Sequence, residues 1–137
     1  MLRFIHHICI ETNCYQKSLR FYCEIMGFRV VKEIKDFHER EYNTWLKNKD
    51  ILIELQTPKK NTEEKPCIEQ SCANGVDHIC FLVDDIQDEV KKIQSHAYDS
   101  FKKKESDIIY VVDGALLCKV VAPEGTVFEL REQDICF

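Results

Sequence analysis

One spacing constrains this chain more than any other feature: the pattern of its first part returns 71 positions later. Tyr15, Leu19, Tyr22 and Met26 recur as Ile86, Val90, Ile93 and Ala97, and His7 recurs as His78. Apolar residues stepping by four, three and four positions form the buried stripe of an amphipathic helix. Two such stripes in one register with a histidine imply two copies of one folding unit.

Each copy reads as β-α-β-β-β. In the first, an Ile-rich strand spans Phe4 to Ile10, and Asn13-Cys14-Tyr15-Gln16 resembles a capping box that starts the helix. Gly27 stops that helix, and strands follow at Arg29–Ile34, Tyr42–Leu46 and Ile51–Leu55. In the second, a strand at Val76–Val83 leads to caps at Asp84 and Asp85. Strands at Ile108–Val112, Leu116–Val121 and Val127–Arg131 complete it. Asp113-Gly114 is a two-residue hairpin signal, and Pro123-Glu124-Gly125 makes the last turn. Residues Pro58 to Asn74 are polar and link module 1–58 to module 75–132, with a short C-terminal tail. The expectation is one α+β domain of two tandem β-α-β-β-β modules, a curved mixed sheet around a metal cleft. Helices cover one sheet face in each module, and the other face is left for the partner module.

Composition narrows the class of partner. Among 137 residues, 31% are charged and the net charge is −5, which excludes the broad basic face that nucleic acid requires. The only basic run, Lys102-Lys103-Lys104, reads as a solvated loop. Neither a secretory signal nor a membrane-spanning stretch is visible, so a soluble cytoplasmic protein is expected. The eight cysteines contain no CxxC pair. Reduced thiols are the plainer account, with Cys9, Cys80 and Cys118 placed in apolar runs as small buried hydrophobes.

Strand alternation sorts side chains by face. Ile5, His7 and Cys9 share one face of the first strand, opposite Phe4, His6, Ile8 and Ile10. Val76, His78 and Cys80 repeat the arrangement, with Asp77 in the place of His6. Each copy ends in a similar phrase, Ile53-Glu54-Leu55 and Phe128-Glu129-Leu130, where a carboxylate alternates with apolar neighbours. If the apolar residues pack under the helices, both glutamates face the histidines' side. Two buried carboxylates need a compensating cation, so His7, Glu54, His78 and Glu129 are the candidate ligands of one divalent Ni, Co, Zn, Mn or Fe ion. His38 and His96 read as surface residues, and Trp45 as core or pocket wall.

These residues also carry a family resemblance. His6-His7-Ile8, Ser18-Leu19-Arg20-Phe21-Tyr22 with Met26-Gly27-Phe28, Val76-Asp77-His78-Ile79, and Ala122-Pro123-Glu124-Gly125 running into Phe128-Glu129-Leu130 resemble the vicinal oxygen chelate superfamily. That superfamily includes glyoxalase I, methylmalonyl-CoA epimerase, extradiol dioxygenases and bleomycin- or fosfomycin-resistance proteins. The His, Glu, His, Glu order is similar to bacterial glyoxalase I. The resemblance implies a lactoylglutathione lyase-like carbon–sulfur lyase or isomerase. It would stabilise an enediolate formed from a hemithioacetal-like substrate, with Glu129 as proton shuttle and Glu54 as its counterpart. It also implies a small-molecule substrate and a homodimer. Glu11 and Pro58 stand where glutathione-dependent members carry Arg and Asn, which points to another thiol adduct or another 1,2-dioxygenated compound. Arg40 and Arg131 are the candidate anion contacts. The alternatives within the superfamily are a non-catalytic drug- or metabolite-binding protein, an epimerase and an Fe(II) dioxygenase.

Overall fold

The computed structural model describes residues 1–61 and 75–132, so most of the Pro58–Asn74 linker and the final five residues lie outside the described residues. The chain divides into two units, Met1–Cys72 and Ala73–Phe137.

The first unit runs β1 (Ile8–Glu11), α1 (Tyr15–Arg20) continued by a π-helical turn (Phe21–Ile25), β2 (Arg29–Phe37), β3 (Arg40–Asn48) and β4 (Ile51–Gln56). Its sheet has the order β1-β4-β3-β2, with β1 parallel to β4 and the other pairs antiparallel. The helical side of this sheet is a dry layer. Ile10, Leu46, Ile53 and Leu55 lie under Tyr15, Phe21, Tyr22 and Ile25, all buried. The Tyr15 hydroxyl reaches Thr44 Oγ1 at 2.6 Å and donates to Glu33 Oε2 at 2.9 Å, which pins the start of the helix to β3. Burial pushes the Tyr15 phenol up to about 12, so it remains a donor.

The second unit repeats the plan: β5 (Ile79–Leu82), α2 (Ile86–Ser95), β6 (Phe101–Lys102), β7 (Tyr110–Val112), β8 (Ala115–Val121) and β9 (Val127–Arg131). The order is β5-β9-β8-β6, with β7 also paired to β8 and β5 parallel to β9. Ile86, Val90 and Ile93 of α2 are buried, as are Cys118, Val120, Phe128 and Leu130 of the sheet. Asp113 (φ 50°) and Gly114 (φ 76°) form the hairpin turn between β7 and β8, with the paired left-handed angles that such turns require.

Several boundaries differ from the sequence reading. The first strands begin at Ile8 and Ile79, and Phe4, Ile5 and Val76 are exposed. The cause is register: pairing starts at Ile8↔Ile53 and Ile79↔Phe128, and a residue without a ladder partner has nothing to hold it extended. Cys14, not Asn13, caps α1, and no side chain closes that cap. Thr12 Oγ1 accepts from the Cys14 amide instead. Ala97 lies beyond α2 at φ 56° and is exposed. A short strand, β6, was not anticipated. Cys118 is buried as expected, but Cys9 and Cys80 are exposed on the sheet face away from the helices.

Asp85 does cap α2, accepting from the Asp88 amide at 3.0 Å. Asp85→Ala is expected to cost about 1 kcal/mol, read as a lower urea midpoint at unchanged slope.

Candidate metal centre

Parallel pairing places the chemistry. Cys9 lies directly opposite Glu54 across β1 and β4, and Cys80 lies opposite Glu129 across β5 and β9. Residues in register share a face, so each carboxylate emerges beside a cysteine, and each histidine sits two positions before that cysteine. Trp45 on β3 and Lys119 on β8 are the other cross-strand partners of Glu54 and Glu129. The apolar neighbours Ile53, Leu55, Phe128 and Leu130 point the other way and are buried. Burial of those neighbours is what turns both glutamates away from the helices.

The two units arrive at the same pairing. His7 Nε2 stands 3.3 Å from Glu54 Oε2. His78 Nε2 stands 3.4 Å from Glu129 Oε2. Charge-assisted hydrogen bonds close to about 2.7–2.9 Å, and neither pair does so. Two donors bound at about 2.1 Å to one ion at angles of about 90–110° are instead about 3.0–3.4 Å apart. The pairs have a separation that two ligands of one cation could adopt, and that a loose ion pair such as Lys92–Glu89 at 3.4 Å also shows. Their imidazole and carboxylate donors are also the right chemistry for a divalent transition metal. Among the described residues, no three His, Cys, Asp or Glu side chains gather into a single metal-holding cluster. Within each unit the structure brings together a pair.

The other ring nitrogen of each histidine is also engaged. His78 Nδ1 meets Asp77 Oδ2 at 2.7 Å, which fixes the ring with Nε2 toward Glu129. The His78 hydrogen bond holds the Asp77 carboxyl below its usual range. His7 Nδ1 meets His6 Nδ1 at 2.9 Å, and the His7 ring packs edge-on to Trp45 with centroids 5.0 Å apart. His6 thus lies beside His7 rather than on the opposite face, because both precede the paired part of β1. Sequence reasoning passed over His6 and Asp77 as functional residues. The signal was present: they occupy equivalent positions in the repeat, each a polar residue immediately before a candidate ligand histidine. Asp77→Asn is expected to weaken metal binding about 10- to 100-fold, measured by competition with a chromogenic chelator.

Around Glu54 and Glu129 the surroundings diverge. Gln56 Nε2 donates to Glu54 Oε1 at 3.2 Å and to Asn43 Oδ1 at 2.7 Å. Glu129 is flanked by Lys119 Nζ at 3.8 Å and Arg131 Nη1 at 3.9 Å. The Cys9 thiol donates to Gln56 Oε1 at 3.3 Å, and that of Cys80 to Glu129 Oε1 at 3.5 Å. Partial burial and the adjacent carboxylates push both thiols up to about 11.

The remaining sequence candidates are placed as follows. Arg40 Nη1 donates to Glu11 Oε2 at 2.8 Å and to the Thr57 carbonyl at 2.7 Å, so its charge already has a partner. Arg131 is buried, with Nη2 donating to the Val112 carbonyl at 3.3 Å. His38 and His96 are exposed, as expected. The Lys102–Lys104 run is exposed, with Lys104 Nζ 6.0 Å from the centre of the Tyr110 ring. No helix among the described residues is long and apolar enough to cross a membrane.

Residues 6–109 match the Glyoxalase/Bleomycin resistance protein/Dioxygenase superfamily. The chain belongs to that superfamily. YaeR, an uncharacterised protein of Escherichia coli K12, is 32% identical over 99 residues, covering 69% of this chain and 72% of its own length. A glyoxalase family protein from Enterococcus faecalis superposes with a TM-score of 0.76 at 23% identity, over 95% of this chain and 98% of its own. Lactoylglutathione lyase from Agrobacterium tumefaciens does so at 0.67 and 15% identity, over 95% and 93%. The fosfomycin resistance protein FosX of Listeria monocytogenes, solved with Mn(II) and sulfate, gives 0.70 at 12% identity, over 98% and 96%. These three structures share the glyoxalase fold with this chain, and within that fold superfamily members carry several chemistries.

Proposed function

We propose that this chain is a metal-dependent lyase or isomerase of glyoxalase type, acting on a small 1,2-dioxygenated substrate such as a hemithioacetal. One observation carries the reading: the duplicated His–Glu pair, 3.3 Å apart in one unit and 3.4 Å in the other. In this reading His7, Glu54, His78 and Glu129 are the ligands of one divalent Ni, Co, Zn, Mn or Fe ion per chain. When bound, that ion supplies Lewis-acid polarisation of the two vicinal oxygens.

The protein's own groups do the rest. Glu129 takes a proton from one substrate carbon and returns it to the neighbouring carbon, and Glu54 is its counterpart across the substrate. Lys119 and Arg131 stand within 4 Å of Glu129, and Gln56 bonds to Glu54, so the two carboxylates work in unlike surroundings. Asp77 and His6 hold the imidazole rings, and Trp45 walls the His7 side of the site. The protein acts in the cytoplasm as a homodimer.

The test follows thioester formation from methylglyoxal with glutathione and with smaller thiols, using metal-reconstituted protein. Turnover with a small thiol, and weaker turnover with glutathione, is the expected result. No product with any thiol, from protein that has loaded its metal, would overturn the lyase reading. Protein that loads no metal would point instead to a sequestering member of the superfamily.

A further inference from the structure

The duplication provides an internal control. Trp45 and Lys119 are the antiparallel partners of Glu54 and Glu129. Gln56 and Arg131 each follow their glutamate by two residues on the same face. At these two matched positions the first unit has a neutral aromatic ring and a neutral amide, and the second has two cations. A requirement common to both glutamates would be met the same way twice.

The second unit's cations are also under-used. Arg131 is 7% exposed, and its Nε has no hydrogen-bond partner among the described residues. Its Nη2 bonds to the Val112 carbonyl, which fixes the guanidinium without neutralising it. Glu129 meets both Lys119 and Arg131 at 3.8–3.9 Å, beyond hydrogen-bond reach, and the Asp77 charge also acts on Lys119. Among the described residues no carboxylate closes to hydrogen-bond distance on either cation, and the nearer one, Glu129, is used by the proposed chemistry. A buried guanidinium with an unpartnered Nε is costly without an acceptor to complete it.

We propose that Lys119 and Arg131 form an anion subsite beside Glu129, so that the substrate carries a carboxylate, phosphonate or phosphate next to its vicinal oxygens. This rests on the glyoxalase-type reading for the location of the reacting atoms, and it adds the substrate's charge. It agrees with the loss of Arg40 to Glu11 in the first unit: the acidic end of the ligand belongs to the second unit.

Titration calorimetry of the full chain, metal-free and metal-loaded, tests it with three probes. Glycerol 3-phosphate and 3,4-dihydroxybutanoate carry a vicinal diol with an acidic group, and glycerol carries the diol alone. The two anions should bind about 10- to 100-fold more tightly than glycerol. Which of them binds better separates phosphate-like from carboxylate substrates. Lys119→Met and Arg131→Gln should erase that preference, Lys119→Arg should keep it, and Lys92→Met on the exposed face of α2 should leave it unchanged. Because Arg131 is buried, Lys119→Met is the deciding variant where the arginine variant fails to fold. Equal binding of glycerol and the anions, or an intact preference in Lys119→Met, would overturn the subsite. Metal content of the same samples tests the underlying reading separately, since neither cation is a proposed ligand.

Discussion

Glu129→Gln is expected to lower turnover by about 100- to 10,000-fold at saturating metal, the usual contribution of a positioned acid–base group. The amide keeps the shape of the carboxylate and an oxygen donor but cannot take a proton. Glu129 is 8% exposed, so water is a poor substitute base at that position. The readout is a split between two quantities: turnover collapses, while metal content at high metal concentration falls only in part. Glu54→Gln provides the contrast. Glu54 already accepts from Gln56 and lies beside a neutral tryptophan, so its replacement should affect metal affinity more than the chemical step. Equal turnover in the wild-type protein and Glu129→Gln would remove Glu129 from the proton path.

Phe128→Ala is expected to destabilise the second unit by about 3–5 kcal/mol, the range for emptying a fully buried aromatic site. Phe128 has no exposed surface, and its ring stacks on Phe81 with centroids 5.6 Å apart. Urea unfolding should show a large fall in midpoint, several times that of the Asp85→Ala cap variant. The consequence for function is indirect. Phe128 and Leu130 anchor β9 on its helical side, and that anchoring aims Glu129 the other way. A loosened β9 should also weaken metal binding, although no proposed ligand has changed. A midpoint within about 0.5 kcal/mol of wild type would mean that the buried layer described here does not hold β9 in place.

The architecture was largely legible because it is written twice. One 71-residue offset aligned both helix stripes and both histidines, and alternation around Glu54 and Glu129 assigned each to the face it occupies. Alternation failed where pairing had not begun. His6 was assigned to the face opposite His7, yet the two rings touch, since neither lies within β1. Cys9 and Cys80 were read as core from their apolar neighbours, but strand parity places them with the glutamates. Lys119 was overlooked for a different reason. Its relation to Glu129 is a cross-strand register, fixed by the length of the turn between β8 and β9, and hydrophobic alternation does not encode it. Arg40 illustrates the opposite error: as an isolated cation it suggested an anion contact, whereas Glu11, distant in sequence, already neutralises it.

The central claim is that the two matched His–Glu pairs are metal ligands rather than ordinary ion pairs. Elemental analysis of reconstituted protein tests it most directly, on wild type and on His7→Ala and His78→Ala in parallel. The prediction is close to one divalent transition metal per chain in the wild type, with metal lost from both single variants. Wild-type protein that retains no metal after reconstitution, or equal metal content in all three proteins, would contradict it.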